Sequence, residues 1–322
     1  MDPIVLCGLA FASSLVVSWI VYPKVIPIFR KLNVNQTVSE YALDEFKEKP
    51  ITPTLGGVVF VIISVIVAVI FNGFSFTSTA YNLSLMAFIG YALLGFIDDY
   101  KIIKEGKNDG LKPIEKLFLQ LLIAGVFYYF YQQSAVSTIQ LFPSDILIDL
   151  GIFYAVFVLL MFIATTNAVN ITDGMDGLSG GTSFIALGAF LFFAIRQQEW
   201  AVAILISSLM GALIGYLKNN MKPAKIIMGD CGSHALGGLM AALAMVLKIE
   251  LLLIVIGGVF VWETATVALQ IAAVKTIKRR IFKYTPIHYS FILSGYREQA
   301  IVLMFYAVGL ACAIVAIILG VI

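Results

Sequence analysis

Ten long apolar runs, each of roughly the length that crosses a bilayer, constrain the fold of this chain more than any other feature. A membrane-crossing helix needs about 20 largely apolar residues, because every backbone polar group must be satisfied within the membrane. The hydrophobic profile predicts spans at 4–26, 54–72, 79–97, 114–133, 147–166, 181–196, 200–217, 232–248, 251–274 and 299–320. We therefore predict an all-α, polytopic membrane protein that forms one integral membrane domain over residues 1–322.

The basic residues predict how these spans are oriented. Of the 21 Lys and Arg residues, 19 fall in or beside the loops of one face, and only Arg196 and Lys248 belong to the other. Because cytoplasmic loops carry an excess of Lys and Arg, the richer face is predicted to be cytoplasmic. An even number of spans then places both termini outside the cytoplasm.

The composition excludes several classes of protein. With 61% hydrophobic and 12% charged residues, the chain has more apolar surface than a soluble domain of this size could bury. A net charge of +2 gives no broad basic field for nucleic-acid binding. Cys7, Cys231 and Cys312 show no zinc-binding or redox spacing. The first apolar run lacks a basic leader and a cleavage motif, so we interpret it as a retained span.

Five aspartates stand where apolar runs stop, and all of them belong to the predicted cytoplasmic face. They are Asp98, Asp99, Asp173, Asp176 and Asp230. A charged side chain near a bilayer centre costs about 2.5–3.5 kcal/mol on insertion scales, so such acids need water, a partner or a metal. Their common face predicts one shared polar site in the cytoplasmic loops, suited to cations and phosphates.

The adjacent acids Asp98 and Asp99 follow the third apolar run. Neighbouring residues on a helix point in different directions, so one acid can bind a ligand or take a proton while the other orients a partner. A solvated helix end is the alternative interpretation.

In the next segment, Pro113 suits a first helical turn, and Lys116 shares a helix face with Gln120. That face could bind a phosphate, or Lys116 could reach lipid headgroups.

The stretch from Asn167 to Gly181 contains two Asn, two Asp, a Thr and four Gly, with no Lys or Arg. Asp-Gly steps turn sharply and allow the backbone to approach a ligand, and these oxygens suit hard cations and ribose. We predict one functional loop here.

A second motif, Gly229–Ser233, puts Asp230 just before a helix, where an anion and a cation could bind together. Capping of that helix by Asp230 is the alternative.

The last predicted cytoplasmic loop, 278–291, is basic and aromatic. It could lie on anionic lipid headgroups or dock a polyphosphate substrate. His288 within it is equally compatible with a site role and a structural role, whereas His234 is interpreted as structural. Glu263 is an acid inside an apolar run, and the sequence does not decide whether it lines the site or is a buried hydrogen-bonding residue.

Together these motifs resemble the polyprenyl-phosphate N-acetylhexosamine-1-phosphate transferases, most closely the phospho-N-acetylmuramoyl-pentapeptide transferase branch. The resemblance extends from Thr52–Gly57 to Gly295–Glu298. It implies ten transmembrane helices in a bacterial cell (inner) membrane, a homodimer and Mg²⁺ as cofactor. It also implies transfer of phospho-N-acetylmuramoyl-pentapeptide from its UDP carrier to undecaprenyl phosphate, which forms lipid I and UMP in peptidoglycan biosynthesis.

The resemblance also implies roles for individual residues. Asp98 and Asp99 match catalytic acids near the acceptor phosphate, and Asp230 matches a catalytic acid that binds magnesium. Substrate contacts are implied for Lys49, Lys116, Asn170, Asp173, Asp176, Gly177, Asn220 and His288. The chain departs from the family pattern in two motifs. Tyr289 and Ser290 follow His288 where the family has three consecutive histidines, and Ile227 replaces an aromatic residue.

Two other functions are compatible with the same motifs. One is a related transferase that uses UDP-N-acetylglucosamine. The other is an ion-coupled transporter, although the acids lie near predicted span ends and no inverted repeat is visible. For a transferase, the sequence allows direct attack of one phosphate on another, with Asp98 taking the proton, or a two-step route through an aspartyl-phosphate.

Overall fold

The computed structural model describes residues 1–32, 34, 52–106 and 110–322. This part of the chain folds into helices and one small β-hairpin. The helices are α1 (Pro3–Lys31), α2 (Gly56–Phe71), α3 (Thr79–Glu105), α4 (Pro113–Tyr131), α5 (Phe153–Thr172), α6 (Leu178–Arg196), α7 (Trp200–Asn220), α8 (Gly229–Val246), α9 (Leu252–Ile256), α10 (Gly258–Ile277), α11 (Ile287–Ile292) and α12 (Glu298–Leu319). The hairpin strands are β1 (Thr138–Leu141) and β2 (Ile146–Asp149).

Seven of the described helices are long and apolar enough to cross a membrane. They are α1, α3, α4, α5, α6, α7 and α12. A further apolar helix, α2, is shorter. The prediction of a helical, polytopic membrane protein is therefore confirmed, and apolar side chains exposed on α1, α5 and α12 are the surface that lipid would contact.

The span predicted to start at residue 147 is wrong at its beginning. Residues 146–149 form β2, which pairs antiparallel with β1 so that Leu141 opposes Ile146 and Thr138 opposes Asp149. Helix α5 begins only at Phe153, after Gly151 with a positive φ of 50°. Hydropathy does not separate a short apolar strand from the start of an apolar helix, which explains the error.

Two predicted loops are helical in the structure. Helix α3 continues to Glu105, so Asp98 and Asp99 lie within its C-terminal part and not in a loop. Helix α5 likewise continues to Thr172, which leaves only residues 173–177 between α5 and α6. The length of an apolar run reflects the thickness of the membrane, and a helix can extend beyond it into water. The prediction of loop positions is therefore wrong for Asp98, Asp99 and Asp230, whereas Asp173 and Asp176 do lie in a turn between helices.

Helix α8 lies at the centre of the bundle. Every residue from Cys231 to Met245 is buried, and α2, α3 and α5 all pack against this helix. Helices α2, α3 and α5 therefore surround α8 and fix the position of its first turn. Because Asp230 belongs to that turn, its position is determined by the packing of the core.

Two glycines allow neighbouring helices to reach the first turn of α8. A Cβ atom at Gly57 would lie less than 3.0 Å from the backbone of Gly232, and one at Gly95 less than 3.0 Å from the backbone of Asp230. Real Cβ atoms essentially never approach so closely. Helices α2 and α3 therefore contact α8 backbone to backbone, and the contact at Gly95 sets the distance between Asp98–Asp99 and Asp230.

We expect Gly95→Ala to destabilise the protein by about 1–3 kcal/mol, because overpacking against a fixed backbone forces the helices apart. Thermal unfolding in detergent measures this effect. Gly125→Ala in α4 is the matched control, since a Cβ there would meet nothing within 4 Å. Equal melting temperatures for the two variants would contradict the close packing at Gly95.

Candidate active site

Asp230 is the point at which three helices meet. One carboxylate oxygen lies 2.6 Å from Nζ of Lys116 on α4, and the other accepts a hydrogen bond of 2.8 Å from Nδ2 of Asn170 on α5. The same Asn170 nitrogen lies 2.9 Å from Oγ of Ser233. The carboxylate of Asp230 therefore faces charged and amide groups on other helices, and capping of α8 by Asp230 is not observed.

Asp99 holds the start of α8 instead. Its carboxylate is 2% exposed and accepts hydrogen bonds from the backbone N–H groups of Asp230, at 3.0 Å, and Cys231, at 2.9 Å. These N–H groups belong to the first turn of α8 and lack partners within the helix. Asp99 thereby satisfies two of them and places a negative charge at the positive end of the helix dipole.

Asp98 points toward a different set of partners. Its two oxygens accept from Nζ of Lys116 at 3.0 Å and from the backbone N–H of Leu111 at 2.6 Å. The two adjacent acids thus diverge as the helical geometry predicts, with Asp99 orienting α8 and Asp98 facing the shared charged cluster.

Lys116 bridges Asp98 and Asp230. Its ammonium group contacts both carboxylates, and its side chain is 22% exposed. The group therefore binds acids in the interior and does not extend to lipid headgroups. One turn along α4, Oε1 of Gln120 accepts from Nδ2 of Asn167 at 3.2 Å, so the predicted polar face of α4 is directed at α5. A substrate phosphate would compete with the carboxylates for Lys116.

The turn between α5 and α6, residues 173–177, is braced by the segment after α7. Asn220 accepts from the N–H of Gly177 at 2.9 Å and donates to the carbonyl of Ile226 at 2.9 Å. Asp176 accepts from the N–H of Ala224 at 3.1 Å. Asn220 is 4% exposed, so in this structure it positions the turn with both ends of its amide.

The Asp173 carboxylate differs from its neighbours because no hydrogen-bond donor contacts it within the described residues. Burial, together with the nearby carboxylates of Asp230 and Asp176, raises the pKa of Asp173 to about 7. The side chain lies in the turn at the end of α5, beside the Asp230 cluster. A cation or a donor from a ligand that joins the two carboxylates would favour the ionised form of Asp173.

His288 and Glu263 form a hydrogen-bonded pair with no exposed surface. Nδ1 of His288 lies 3.0 Å from Oε1 of Glu263. Nε2 of His288 has no partner in the described part of the chain, and a Cβ at Gly174 would lie 2.5 Å from it. The hydroxyl of Tyr289 donates to the carbonyl of Gly174 at 3.1 Å. Helix α11 therefore packs on the 173–177 turn, and Glu263, which the sequence left undecided, supports His288.

Residues of α12 also contact the 173–177 turn. Glu298 is 7% exposed, contacts Nζ of Lys222 and accepts from the N–H of Asp176 at 3.3 Å. Tyr306 on α12 donates to the carbonyl of Gly177 at 2.7 Å. Neither Glu298 nor Tyr306 was predicted for this site from the sequence. No local motif signals them, because each contacts a segment more than 70 residues away.

The other candidates are distributed as follows. His234, interpreted as structural, is buried with Nδ1 3.0 Å from the carbonyl of Asp230, one helical turn earlier. Lys49 lies outside the described residues. The structure therefore brings together Asp98, Lys116, Asn170 and Asp230 in one cluster, and places Asp173, Asp176, Gly177, Asn220 and His288 in or against the adjoining turn.

The donor atoms of this site suit a magnesium ion that binds together with a substrate. Among the described residues, no three His, Cys, Asp or Glu side chains form a ready metal site. Mg²⁺ usually takes only one or two carboxylates and completes its shell with water and phosphate oxygens. Asp230 together with Asp173, whose charges are mutually unfavourable, meets that requirement.

Comparison with known proteins finds relatives over nearly the whole chain. The family described as glycosyl transferase family 4 matches residues 81–248. The phospho-N-acetylmuramoyl-pentapeptide-transferase of Anoxybacillus flavithermus is 41% identical over 312 residues, or 96% of this chain and 95% of the relative. The proteins of the same name from Bacillus mycoides and Bacillus thuringiensis are 41% identical over 321 and 323 residues, each covering 99% of this chain and 98% of the relative.

Proposed function

Because this chain belongs to glycosyl transferase family 4 and, within it, to the phospho-N-acetylmuramoyl-pentapeptide transferases, we propose that it synthesises lipid I. It transfers phospho-N-acetylmuramoyl-pentapeptide from the UDP carrier to undecaprenyl phosphate and releases UMP in peptidoglycan biosynthesis. The observation that carries this proposal is 41% identity over 96% of the chain. The cluster of Asp98, Lys116, Asn170 and Asp230 supplies the charges that such a reaction requires.

The proposal includes an arrangement in a bacterial cell (inner) membrane. The seven long apolar helices, together with α2, α8 and the α9–α10 pair, would make ten spans. The distribution of basic residues then supports extracytoplasmic termini and a site that opens at the cytoplasmic face. The homodimer implied by the family resemblance is a further part of this proposal.

The chemical problem is the approach of two phosphate anions, so the site must neutralise charge more than it must form covalent bonds. Lys116 is the cation available for this purpose, since it already bridges two carboxylates at 2.6 and 3.0 Å. We assign to it the acceptor phosphate, which takes the place of one of those carboxylates. Charge-assisted hydrogen bonds from an ammonium to a phosphate are short and strong.

Asp98 is better placed than Asp99 to act as the base. Both oxygens of Asp99 accept backbone N–H groups from α8, so that residue is a positioning residue. Asp98 shares Lys116 with the proposed acceptor phosphate and takes the proton from it. An oxygen of undecaprenyl phosphate then attacks the phosphorus that carries the sugar, and the bond to UMP breaks.

A magnesium ion held by Asp230 and Asp173 would supply neutralisation of the pyrophosphate charge and of the charge on departing UMP. Asn170 fixes the carboxylate of Asp230 through a 2.8 Å hydrogen bond. The 173–177 turn, with Asn220 behind it, supplies the nucleotide side of the site, and Lys49 is proposed as a further nucleotide contact. A trapped phospho-enzyme formed without acceptor lipid would favour the two-step route over direct attack.

The proposed function is tested by UMP release from the purified protein with UDP-linked muramoyl-pentapeptide and undecaprenyl phosphate, with and without EDTA. We expect release that requires the acceptor and stops when EDTA removes the divalent ion. Release with UDP-N-acetylglucosamine in preference to the muramoyl donor would instead identify the related transferase. Ion flux into proteoliposomes without any nucleotide turnover would support the transporter.

We expect Glu263→Ala and His288→Ala each to lower kcat by about 10- to 100-fold, the range for partners that orient a functional side chain. Glu263 acts through His288, so the double variant should lose no more activity than either single variant. Losses that multiply in the double variant would contradict this coupling. Melting temperatures measured in parallel separate misfolding from loss of orientation, and Glu263→Gln, which preserves the shape, provides a folded comparison.

A further inference from the structure

The cytoplasmic end of α10 carries a cluster of exposed cations. Between residues 264 and 297 the sequence contains six Lys or Arg residues and no Asp or Glu. Lys275, Lys278, Arg279 and Arg280 are all exposed, and none of them contacts a carboxylate within the described residues. Such a concentration of exposed positive charge at the end of a largely apolar helix favours an anionic ligand.

Two of these cations line a cavity of about 390 Å³. Lys275 and Arg280 stand on its walls, and the remaining lining is partly polar and partly apolar. The other lining residues are Gln270, Ile271, Val274, Tyr284 and Thr285. The cavity therefore combines cations, a hydroxyl and exposed aliphatic side chains at a single position on the bundle surface.

Gln270 builds this cavity by folding the chain back on α10. Its Oε1 accepts from the N–H groups of Ile281 and Phe282, at 3.0 and 3.1 Å, and its Nε2 donates to the carbonyl of Phe282 at 3.3 Å. Gln270 itself is 8% exposed. The three hydrogen bonds hold the segment that carries Arg280 against the helix that carries Lys275. The cationic pair is thus positioned by part-buried hydrogen bonds.

The apolar part of the lining identifies the class of ligand. Ile271 and Val274 are 49% and 42% exposed, and Ile277 and Ile281 beside them are 54% and 48% exposed. A soluble polyphosphate gains nothing from this aliphatic surface, whereas the upper acyl chain of a lipid would cover it. Since basic residues at a cytoplasmic helix end attract anionic headgroups, cation and apolar surface together match a phospholipid.

We propose that the cavity between Lys275 and Arg280 binds the headgroup phosphate of an anionic phospholipid, whose acyl chains lie on Ile271 and Val274. This site is separate from Lys116, to which we assigned the acceptor phosphate. It adjoins the reaction centre through Tyr284, whose ring packs edge-on against Tyr289 at 5.6 Å. Tyr289 in turn bonds to Gly174 in the 173–177 turn.

Binding of fluorescent phosphatidylglycerol and phosphatidylcholine to the purified full-length protein in detergent tests the proposal. The wild type should prefer phosphatidylglycerol, and Lys275→Gln with Arg280→Gln should weaken its binding by about 10- to 30-fold, since each cation near an anionic lipid contributes about 1 kcal/mol. Lys24→Gln with Lys31→Gln in α1 removes the same charge from exposed positions elsewhere and should change the affinity little.

Four other results would contradict the proposal. Equal weakening in the α1 control would show non-specific attraction. Full competition by undecaprenyl phosphate would assign the cavity to the acceptor lipid, and competition by the UDP-linked sugar would assign it to the donor. A second variant, Ile271→Ser with Val274→Ser, should weaken phosphatidylglycerol binding while preserving the charge, and unchanged binding there would exclude the acyl-chain contact. Melting temperatures of every variant establish that it is folded.

Discussion

Asp230→Asn should lower UMP release by about 1,000-fold, the upper range for removing one preorganised electrostatic group from an active site. The substitution preserves the shape but removes the charge that faces Lys116 at 2.6 Å and that would hold the divalent ion. Lys116 would then pair with Asp98 alone, and the proposed divalent ion would lose its charged ligand on α8. Initial rates of UMP release at saturating donor, acceptor and Mg²⁺ measure the effect.

Two comparison variants make the result specific to Asp230. Asp145→Asn changes an exposed acid in the β-hairpin turn and should leave the rate unchanged. Asp99→Ala should instead lower the melting temperature, because loss of a helix cap costs about 0.5–2 kcal/mol. Wild-type rates for Asp230→Asn at saturating Mg²⁺ would rule out both the metal site and the electrostatic role of this residue.

The sequence predicted the candidate site well where the relevant geometry is local. Adjacent positions on a helix imply that Asp98 and Asp99 diverge, and their hydrogen bonds follow that expectation. The pairing of Lys116 with Asp230 spans 114 residues. It depends on how α4 packs on α3 and α5, which in turn pack on α8, and hydropathy does not report this packing. The sequence could predict that these groups share a membrane face, but the contact between Lys116 and Asp230 could be seen only in the folded structure.

The role of Glu263 was left undecided by the sequence for the same reason, because its partner is also distant in the chain. Its apolar surroundings established that it needed a partner, but His288, which contacts its Oε1 atom, lies on another helix with a non-regular segment between them. The boundaries of α3 and α5 were missed for a related reason. Apolar runs report the lipid-facing part of a helix, and polar side chains such as Asn170 can continue the helix inside a protein-lined site.

Lys116→Met should lower kcat/KM for undecaprenyl phosphate by about 100- to 1,000-fold while the KM for the UDP-linked donor changes little. The variant removes the ammonium that bridges Asp98 and Asp230, so two carboxylates face the incoming phosphate without a cation. Rates measured over a range of acceptor concentrations at saturating donor separate the two substrates. Lys116→Arg, which retains the charge, should recover part of the activity.

Lys104→Met provides the matched control, because Lys104 is an exposed cation at the end of α3 with no carboxylate partner in the described structure. Its acceptor dependence should equal that of the wild type, since an exposed charge is screened by water and salt. An unchanged acceptor dependence in Lys116→Met would show that the lysine only neutralises the acids of the resting enzyme. A rise confined to the donor KM would move Lys116 to the nucleotide side, and the acceptor phosphate would then need a different cation.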